Sequence, residues 1–209
     1  MNRLYLFLSW FFIALASVPA QSAELRLVVL GDSLSAGYQL APAEGFPEQL
    51  QRALNKRGYS IEVVNAGVSG DTTSGGLSRL DWSVGDNTDA VIVELGANDA
   101  LRGISPEYTR KNMTDIVKRL RDKGTEVLVA GMLAPRNLGL AYADGFNPIY
   151  KDVAEEHDAL LYPFFLDGVA LNPDLNLVDG IHPNADGVAV IVENILPKVE
   201  ELLARAQSS

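Results

Sequence analysis

The chain has 209 residues, of which 47% are hydrophobic, and this is enough apolar material for the core of one domain. Its formal net charge of −10 argues against nucleic acid and anionic membrane surfaces as partners, because binding to phosphates needs clustered Lys and Arg. The chain contains no cysteine, which excludes disulfides, a cysteine nucleophile and a zinc–thiolate site.

The first two dozen residues differ in character from the rest of the chain. Arg3 supplies positive charge, residues 4–16 form an apolar run, and small residues surround Ala20 and Ala23. Because the run is shorter than the roughly 20 residues that span a bilayer, a cleaved signal peptide is favoured over an uncleaved membrane anchor. We expect cleavage after Ala20 or Ala23, a single domain over residues 24–209, export to the periplasm or the medium, and no stable membrane insertion afterwards.

Beyond this segment, short runs rich in Val, Ile and Leu alternate with amphipathic stretches, which is the pattern of βα units around a buried parallel sheet. The predicted strands cover residues 25–30, 61–65, 90–95, 126–130 and 159–162, and the predicted helices cover residues 45–56, 73–82, 106–122, 147–156 and 185–204. Pro197 is expected to bend the last helix. Residues 132–146 and 164–179 are predicted to be long connections. The expected fold is a three-layer α/β domain with a crevice beyond the carboxyl ends of its strands.

A serine directly follows the first predicted strand, within residues 31–37, which read GDSLSAG. This places Ser33 in a tight strand-to-helix turn at the sheet edge where ligands bind in such folds. The spacing of the glycines does not match a dinucleotide-binding loop, and the P-loop ending is missing. Ser33 is therefore a candidate nucleophile, although a helix-capping serine would look the same locally.

The chain has just two histidines that could serve as a base for this serine. His157 stands at the charged end of a predicted helix, where a surface role is expected. His182 follows the last predicted strand, with Asp179 three residues before it and Pro183 restricting it to extended conformations. A turn here would bring the Asp179 carboxylate to the imidazole, so Ser33, His182 and Asp179 form a candidate triad. The alternative is that Asp179 caps a turn and His182 packs in the loop.

Candidate oxyanion donors follow the next two strands. Residues 69–72 read SGDT, where Gly70 lets a backbone N–H approach a ligand, and residues 96–99 read GAND, where the Asn98 amide can donate. Gly and Asn are common turn residues, so each motif alone is weak. With the Ser33 N–H they would form a three-donor hole, since all three positions fall at the carboxyl ends of predicted strands.

At these motifs the sequence resembles the SGNH, or GDSL, hydrolase family, and more closely its bacterial periplasmic thioesterase I, lysophospholipase and arylesterase subgroup. The four naming residues of the family would be Ser33, Gly70, Asn98 and His182. The resemblance implies a flavodoxin-like sheet of five parallel strands in the order 2-1-3-4-5, an acyl-enzyme mechanism, and neither a metal nor an organic cofactor. Substrates would be small-molecule acyl esters, thioesters or lysophospholipids, and the oligomeric state is not predicted.

The sequence indicates the residues that would contact the substrate less clearly than the candidate triad. An acyl chain is expected to lie over Leu101, Ile104 and Leu133, although these side chains could equally belong to the core. One alternative is a carbohydrate O-deacetylase with a small pocket among polar loops, since residues 136, 137 and 142 (Arg, Asn and Tyr) could serve either substrate. Another is a noncatalytic module that binds a nucleotide or an anion in the crevice.

Three aspartates adjoin the motifs, and we interpret Asp32, Asp71 and Asp99 as groups that shape turns rather than as reactants. A glycosidase with paired carboxylates could use Asp32 together with Glu94 or Asp99. That hypothesis leaves the Ser–His–Asp constellation unexplained.

Overall fold

Five parallel strands form the centre of the structure, a computed structural model that describes residues 25–208. They are β1 (Leu25–Gly31), β2 (Ile61–Gly67), β3 (Ala90–Glu94), β4 (Glu126–Ala130) and β5 (Leu160–Tyr162). Their order in the sheet is β2-β1-β3-β4-β5, which confirms the predicted flavodoxin-like topology. The predicted signal peptide and its cleavage sites lie outside the described residues.

The carboxyl ends of the three neighbouring strands β2, β1 and β3 finish level with one another. Gly31 pairs in register with Gly67 on one side and with Glu94 on the other. The segments that follow these strands therefore emerge side by side at one edge. Every residue of β3 and β4 is buried, as expected for a sheet with both faces covered.

Nine helices are assigned within residues 25–208: α1 (Ser33–Ala36), α2 (Phe46–Lys56), α3 (Thr73–Ser78), α4 (Leu80–Ser83), α5 (Ala97–Leu101), α6 (Pro106–Asp122), α7 (Leu140–Phe146), α8 (Ile149–Glu156) and α9 (Ala185–Ala206). Helix α2 packs against α9, while α6 packs against α3 and α8, so helices cover both faces of the sheet. No helix in this part of the chain is long and apolar enough to cross a membrane.

The structure corrects three details of the sequence-based assignment. The predicted helix at 73–82 is divided into α3 and α4, with Arg79 as the junction. The predicted connection at 132–146 contains a short 3₁₀ helix, Arg136–Leu138, and then α7, which is anchored by the fully buried ring of Phe146. The predicted last helix, 185–204, runs through Pro197 as expected but extends to Ala206.

Candidate active site

A one-turn helix presents Ser33 at the carboxyl end of β1. The strand ends at Gly31, and α1 begins at Ser33 itself. The Asp32 carboxylate caps this helix, because its Oδ1 accepts a hydrogen bond of 3.0 Å from the Leu34 N–H. A side chain at position 31 would collide with Ser35 and Glu94, so the close approach at this turn requires glycine. Ser33 is thereby held at the edge where the three strands end.

A continuous chain of hydrogen bonds joins the three residues of the candidate triad. Ser33 Oγ lies 2.9 Å from His182 Nε2, and His182 Nδ1 lies 2.7 Å from Asp179 Oδ2. An ionised carboxylate only accepts hydrogen bonds, so Nδ1 carries the ring proton and Nε2 is left to accept the serine proton. Along this chain, Ser33, His182 and Asp179 occupy the positions of a nucleophile, its base and the group that orients the base.

The loop before α9 holds the acid and the base together through its own backbone. The Leu177 N–H donates to the His182 carbonyl over 2.7 Å, and Gly180 makes the turn with φ of 68°. Asp179 Oδ1 accepts from the backbone N–H groups of Ile181 and His182 at 2.9 and 3.0 Å. These backbone hydrogen bonds, with that of His182 first, lower the pKa of Asp179 to about 2. The carboxylate is thus ionised and fixed in place.

The two predicted oxyanion segments lie against the nucleophile turn. The Val68 N–H donates to the Gly31 carbonyl over 3.0 Å, which joins the segment just before Gly70 to the last residue of β1. Asn98 lies within the short helix α5 rather than in a turn, and its Nδ2 is 2.9 Å from Asp32 Oδ2. Hydrogen bonds therefore connect the segments that carry Gly70 and Asn98 to the turn that carries Ser33.

Arg79 was not singled out in the sequence, yet it ties these segments together. Its guanidinium donates to Asp71 Oδ2 at 2.7 Å, to the Gly31 carbonyl at 2.9 Å and to the Ala66 carbonyl at 2.8 Å. It thus joins the ends of β1 and β2 to the residue that follows Gly70. No local signal marks this role, because Arg79 falls in a stretch that reads as an ordinary helix.

The carboxylates beside the motifs are engaged inside the protein. Glu94 is fully buried and accepts from Ser35 Oγ at 2.7 Å, and burial raises its pKa well above the usual range. Asp99 is 1% exposed and accepts from the Thr73 N–H at 2.9 Å. Since Asp32 is also fully buried, none of these acids is exposed as a reacting pair would be, and the glycosidase hypothesis has no support here.

A largely apolar cavity of about 700 Å³ opens beside the triad. Leu101 and Leu133 line it, as expected, but Ile104 does not, and its carbonyl instead accepts from the Tyr142 hydroxyl over 2.7 Å. Its other lining residues include side chains from the connection after β5 that sequence reasoning missed, namely Phe164, Leu166 and Leu171. This volume is within the usual range for small-molecule sites.

Within residues 25–208 no group of three or more His, Asp and Glu side chains could hold a metal ion. His157 lies at the end of α8, is half-buried and is flanked by the exposed residues Glu156 and Asp158.

Comparison with known proteins places these observations in one family. The chain is 40% identical to an arylesterase of Vibrio mimicus over 178 residues, which cover 85% of this chain and 88% of the relative. It is 36% identical to the thioesterase 1/protease 1/lysophospholipase L1 of Escherichia coli K12 over 197 residues, 94% and 93% of the two chains. The psychrotrophic esterase EstA of a Pseudoalteromonas species, in a structure inhibited by monoethylphosphonate, superimposes with a TM-score of 0.81 at 31% identity, covering 86% and 98%. The profile of the GDSL-like lipase/acylhydrolase family matches residues 29–190, and this chain belongs to that family.

Proposed function

We propose that the protein hydrolyses acyl esters and thioesters through an acyl-Ser33 intermediate. The observation that carries this proposal is the unbroken hydrogen-bond chain from Ser33 through His182 to Asp179. An apolar cavity is lined by Gly180 and Ile181, the two residues between Asp179 and His182. The relatives named above include an arylesterase and a thioesterase/lysophospholipase, and these names describe hydrolysis of the same two classes of bond.

In the first half of the reaction, Ser33 Oγ attacks the acyl carbonyl carbon while His182 Nε2 takes the hydroxyl proton. The carbonyl π electrons move to oxygen, and the resulting oxyanion is held by the N–H groups of Ser33 and Gly70 and by the Asn98 amide. When the tetrahedral intermediate collapses, the bond to the leaving alcohol or thiol breaks. The imidazolium of His182 returns its proton to that leaving group.

In the second half, water replaces the leaving group. His182 Nε2 removes a proton from the water as it attacks the acyl carbon, and the same donors stabilise the second oxyanion. Collapse breaks the bond to Ser33 Oγ, which takes back the proton from His182. The carboxylate of Asp179 stabilises the imidazolium in both halves without itself being protonated.

The cavity favours substrates with an extended apolar acyl group. Most of its lining is apolar, with Leu101 from the end of α5 and Leu133 from the connection after β4, whereas an O-deacetylase needs room for just one methyl group. Arg136 and Asn137 also line the cavity and supply the polar positions near it. Lysophospholipids and medium-chain esters suit this shape, and each buried methylene would add roughly 0.8 kcal/mol to binding.

Export belongs to the same proposal, because the first residues have the charged start, short apolar run and small residues that signal peptidase recognises. The mature protein would then begin after Ala20 or Ala23. N-terminal sequencing of the protein from the periplasm or medium checks this, and a chain that still begins at Met1 would contradict it.

Labelling with a fluorophosphonate tests the nucleophile directly, because the reagent mimics acyl transfer to an activated hydroxyl. Mass spectrometry should place the adduct on Ser33, and Ser33→Ala or His182→Ala should abolish labelling. Ser35→Ala and His157→Ala are the matched controls and should keep it, since Ser35 Oγ is buried on Glu94. Stoichiometric labelling elsewhere would show that the nucleophile is misassigned.

A panel of acetyl, hexanoyl and palmitoyl esters of one chromogenic alcohol, with matching thioesters, tests the substrate class. Preference for the longer acyl groups is expected from the cavity. Strict preference for acetyl would favour the O-deacetylase, and no hydrolysis of any member would favour a noncatalytic binding module.

A further inference from the structure

The side chain of Asp32 contacts both the nucleophile turn and the Asn98 amide. It is fully buried, and its two carboxylate oxygens are divided between two donors. Oδ1 accepts from the Leu34 N–H at 3.0 Å, and Oδ2 accepts from Asn98 Nδ2 at 2.9 Å. The backbone N–H of Asp32 donates to Glu94 Oε2 over 3.3 Å, and this contact helps to hold the Asp32 backbone in place.

This arrangement determines which end of the Asn98 amide faces the site. An amide has a donor end and an acceptor end of nearly the same shape, so packing alone does not distinguish them. An ionised carboxylate accepts only, and it therefore selects the NH₂ end of Asn98. One N–H of that group points to Asp32, and the second remains available to an oxyanion. With the amide reversed, its carbonyl oxygen would repel the developing negative charge.

We propose that Asp32 is a positioning residue that holds the Asn98 amide in the donor orientation needed for oxyanion stabilisation. This inference rests on the proposed function, in which Asn98 stabilises the oxyanion. Asp32 does not itself touch the substrate, and its effect on the reaction passes through Asn98.

The ionised form of Asp32 is needed for this role. A protonated carboxyl can donate a hydrogen bond to the Asn98 carbonyl oxygen, and it would therefore also stabilise the reversed orientation of the amide. Burial raises the pKa of Asp32 to about 6, against the lowering effect of the Leu34 and Asn98 hydrogen bonds. Asp71 disfavours its charge, and His182 favours that charge when protonated. Glu94 contacts the backbone N–H of Asp32, and the charge of Asp32 raises the pKa of Glu94. The charge of Asp32 also contributes to the raised pKa of Tyr150, which is buried nearby.

A double-mutant cycle separates this role from a general structural one. Asn98→Ala should lower kcat by about 10²- to 10³-fold. Asp32→Asn keeps a capping oxygen for the Leu34 N–H but turns an NH₂ group toward Asn98, and it should lower kcat on the order of 10- to 100-fold with little change in KM. Because Asp32 acts through Asn98, the double variant should lie within about threefold of Asn98→Ala alone. Additive losses would overturn the inference.

A second measurement needs no change at position 32, and so does not depend on the folding of that variant. The ratio of kcat/KM between the wild type and Asn98→Ala removes those effects of pH that the two proteins have in common. The ratio should shrink as the pH falls through about 6, where Asp32 gains its proton. A ratio that stays constant would overturn the inference. Hydrolysis that survives in Ser33→Ala would instead overturn the proposed function, so the two failures are distinguishable.

Discussion

The ring of Tyr38 lies against the imidazole of His182, with centroids 4.5 Å apart and planes inclined by 38°. Tyr38 follows Gly37, the residue that ends the helix of the nucleophile. The same short segment therefore carries Ser33 and the ring that packs against its base. Contact with a flat side chain restricts rotation of the imidazole while its two nitrogens remain engaged with Ser33 and Asp179.

Removal of this ring should slow the reaction without abolishing it. Aromatic pairs contribute about 0.5–1.5 kcal/mol, so Tyr38→Leu should lower kcat by roughly 2- to 12-fold. Tyr38→Phe is the matched control and should remain close to the wild type, because it keeps the ring. Steady-state kinetics on a hexanoyl ester measure both variants, and equal losses would show that the hydroxyl rather than the ring matters.

Asp179→Asn should cost on the order of 10³- to 10⁴-fold in kcat, because an amide no longer selects the His182 tautomer that leaves Nε2 free. Asp174→Asn, an exposed change in the same loop, should have little effect. The low pKa of Asp179, about 2, also has a consequence for pH dependence. Its carboxylate is retained down to about that pH, so loss of activity between about pH 4 and pH 6 does not arise from Asp179. Steady-state kinetics of Asp179→Asn and Asp174→Asn on a hexanoyl ester check the expected difference, and equal kcat values for the two variants would contradict it.

Glu94 should make the wild type less stable as the pH rises. Burial raises its pKa in the folded state, so above about pH 4.5 the unfolded chain releases a proton that the native state retains. The free energy of unfolding then falls with pH, by at most about 1.4 kcal/mol per pH unit for this one proton. Asp32, with a pKa raised to about 6, acts in the same direction over a narrower range.

Glu94→Gln removes that proton while keeping an oxygen for Ser35. Its free energy of unfolding should depend less on pH between about pH 5 and pH 8 than that of the wild type. Urea denaturation at several pH values measures the difference, and Glu193→Gln on the exposed face of α9 is the control. Parallel curves for the wild type and Glu94→Gln would contradict the prediction.

Leu133→Trp should shorten the acyl groups that the protein accepts, because a larger side chain would fill part of the cavity. Displacement of about two methylenes costs roughly 1.6 kcal/mol, so kcat/KM for the palmitoyl ester should fall by about 15-fold relative to the acetyl ester. Ile104→Val is the control, since Ile104 is not among the lining residues, and it should leave this ratio unchanged. A shift at Ile104 and none at Leu133 would place the acyl group elsewhere.

The sequence by itself was sufficient for the sheet and for expecting the proposed site residues at one edge of it. Buried strands read as apolar runs, and each of the residues Ser33, Gly70 and Asn98 follows one of them, so parallel strands had to bring them to one edge. Asp179 and His182 are three residues apart, which makes their contact a local property of one turn. With two histidines in the chain, the choice of base was a matter of elimination.

The tertiary structure alone decided the contacts between side chains from distant segments. Arg79 reaches the Gly31 carbonyl across 48 positions, and Asn98 reaches Asp32 across 66. Leu101 and Ile104 are three residues apart in the sequence, yet one lines the cavity and the other does not. Hydrophobic pattern specifies that a side chain is apolar and which element it belongs to, but its neighbours depend on how the loops pack over the sheet edge, and no local residue pattern encodes that packing.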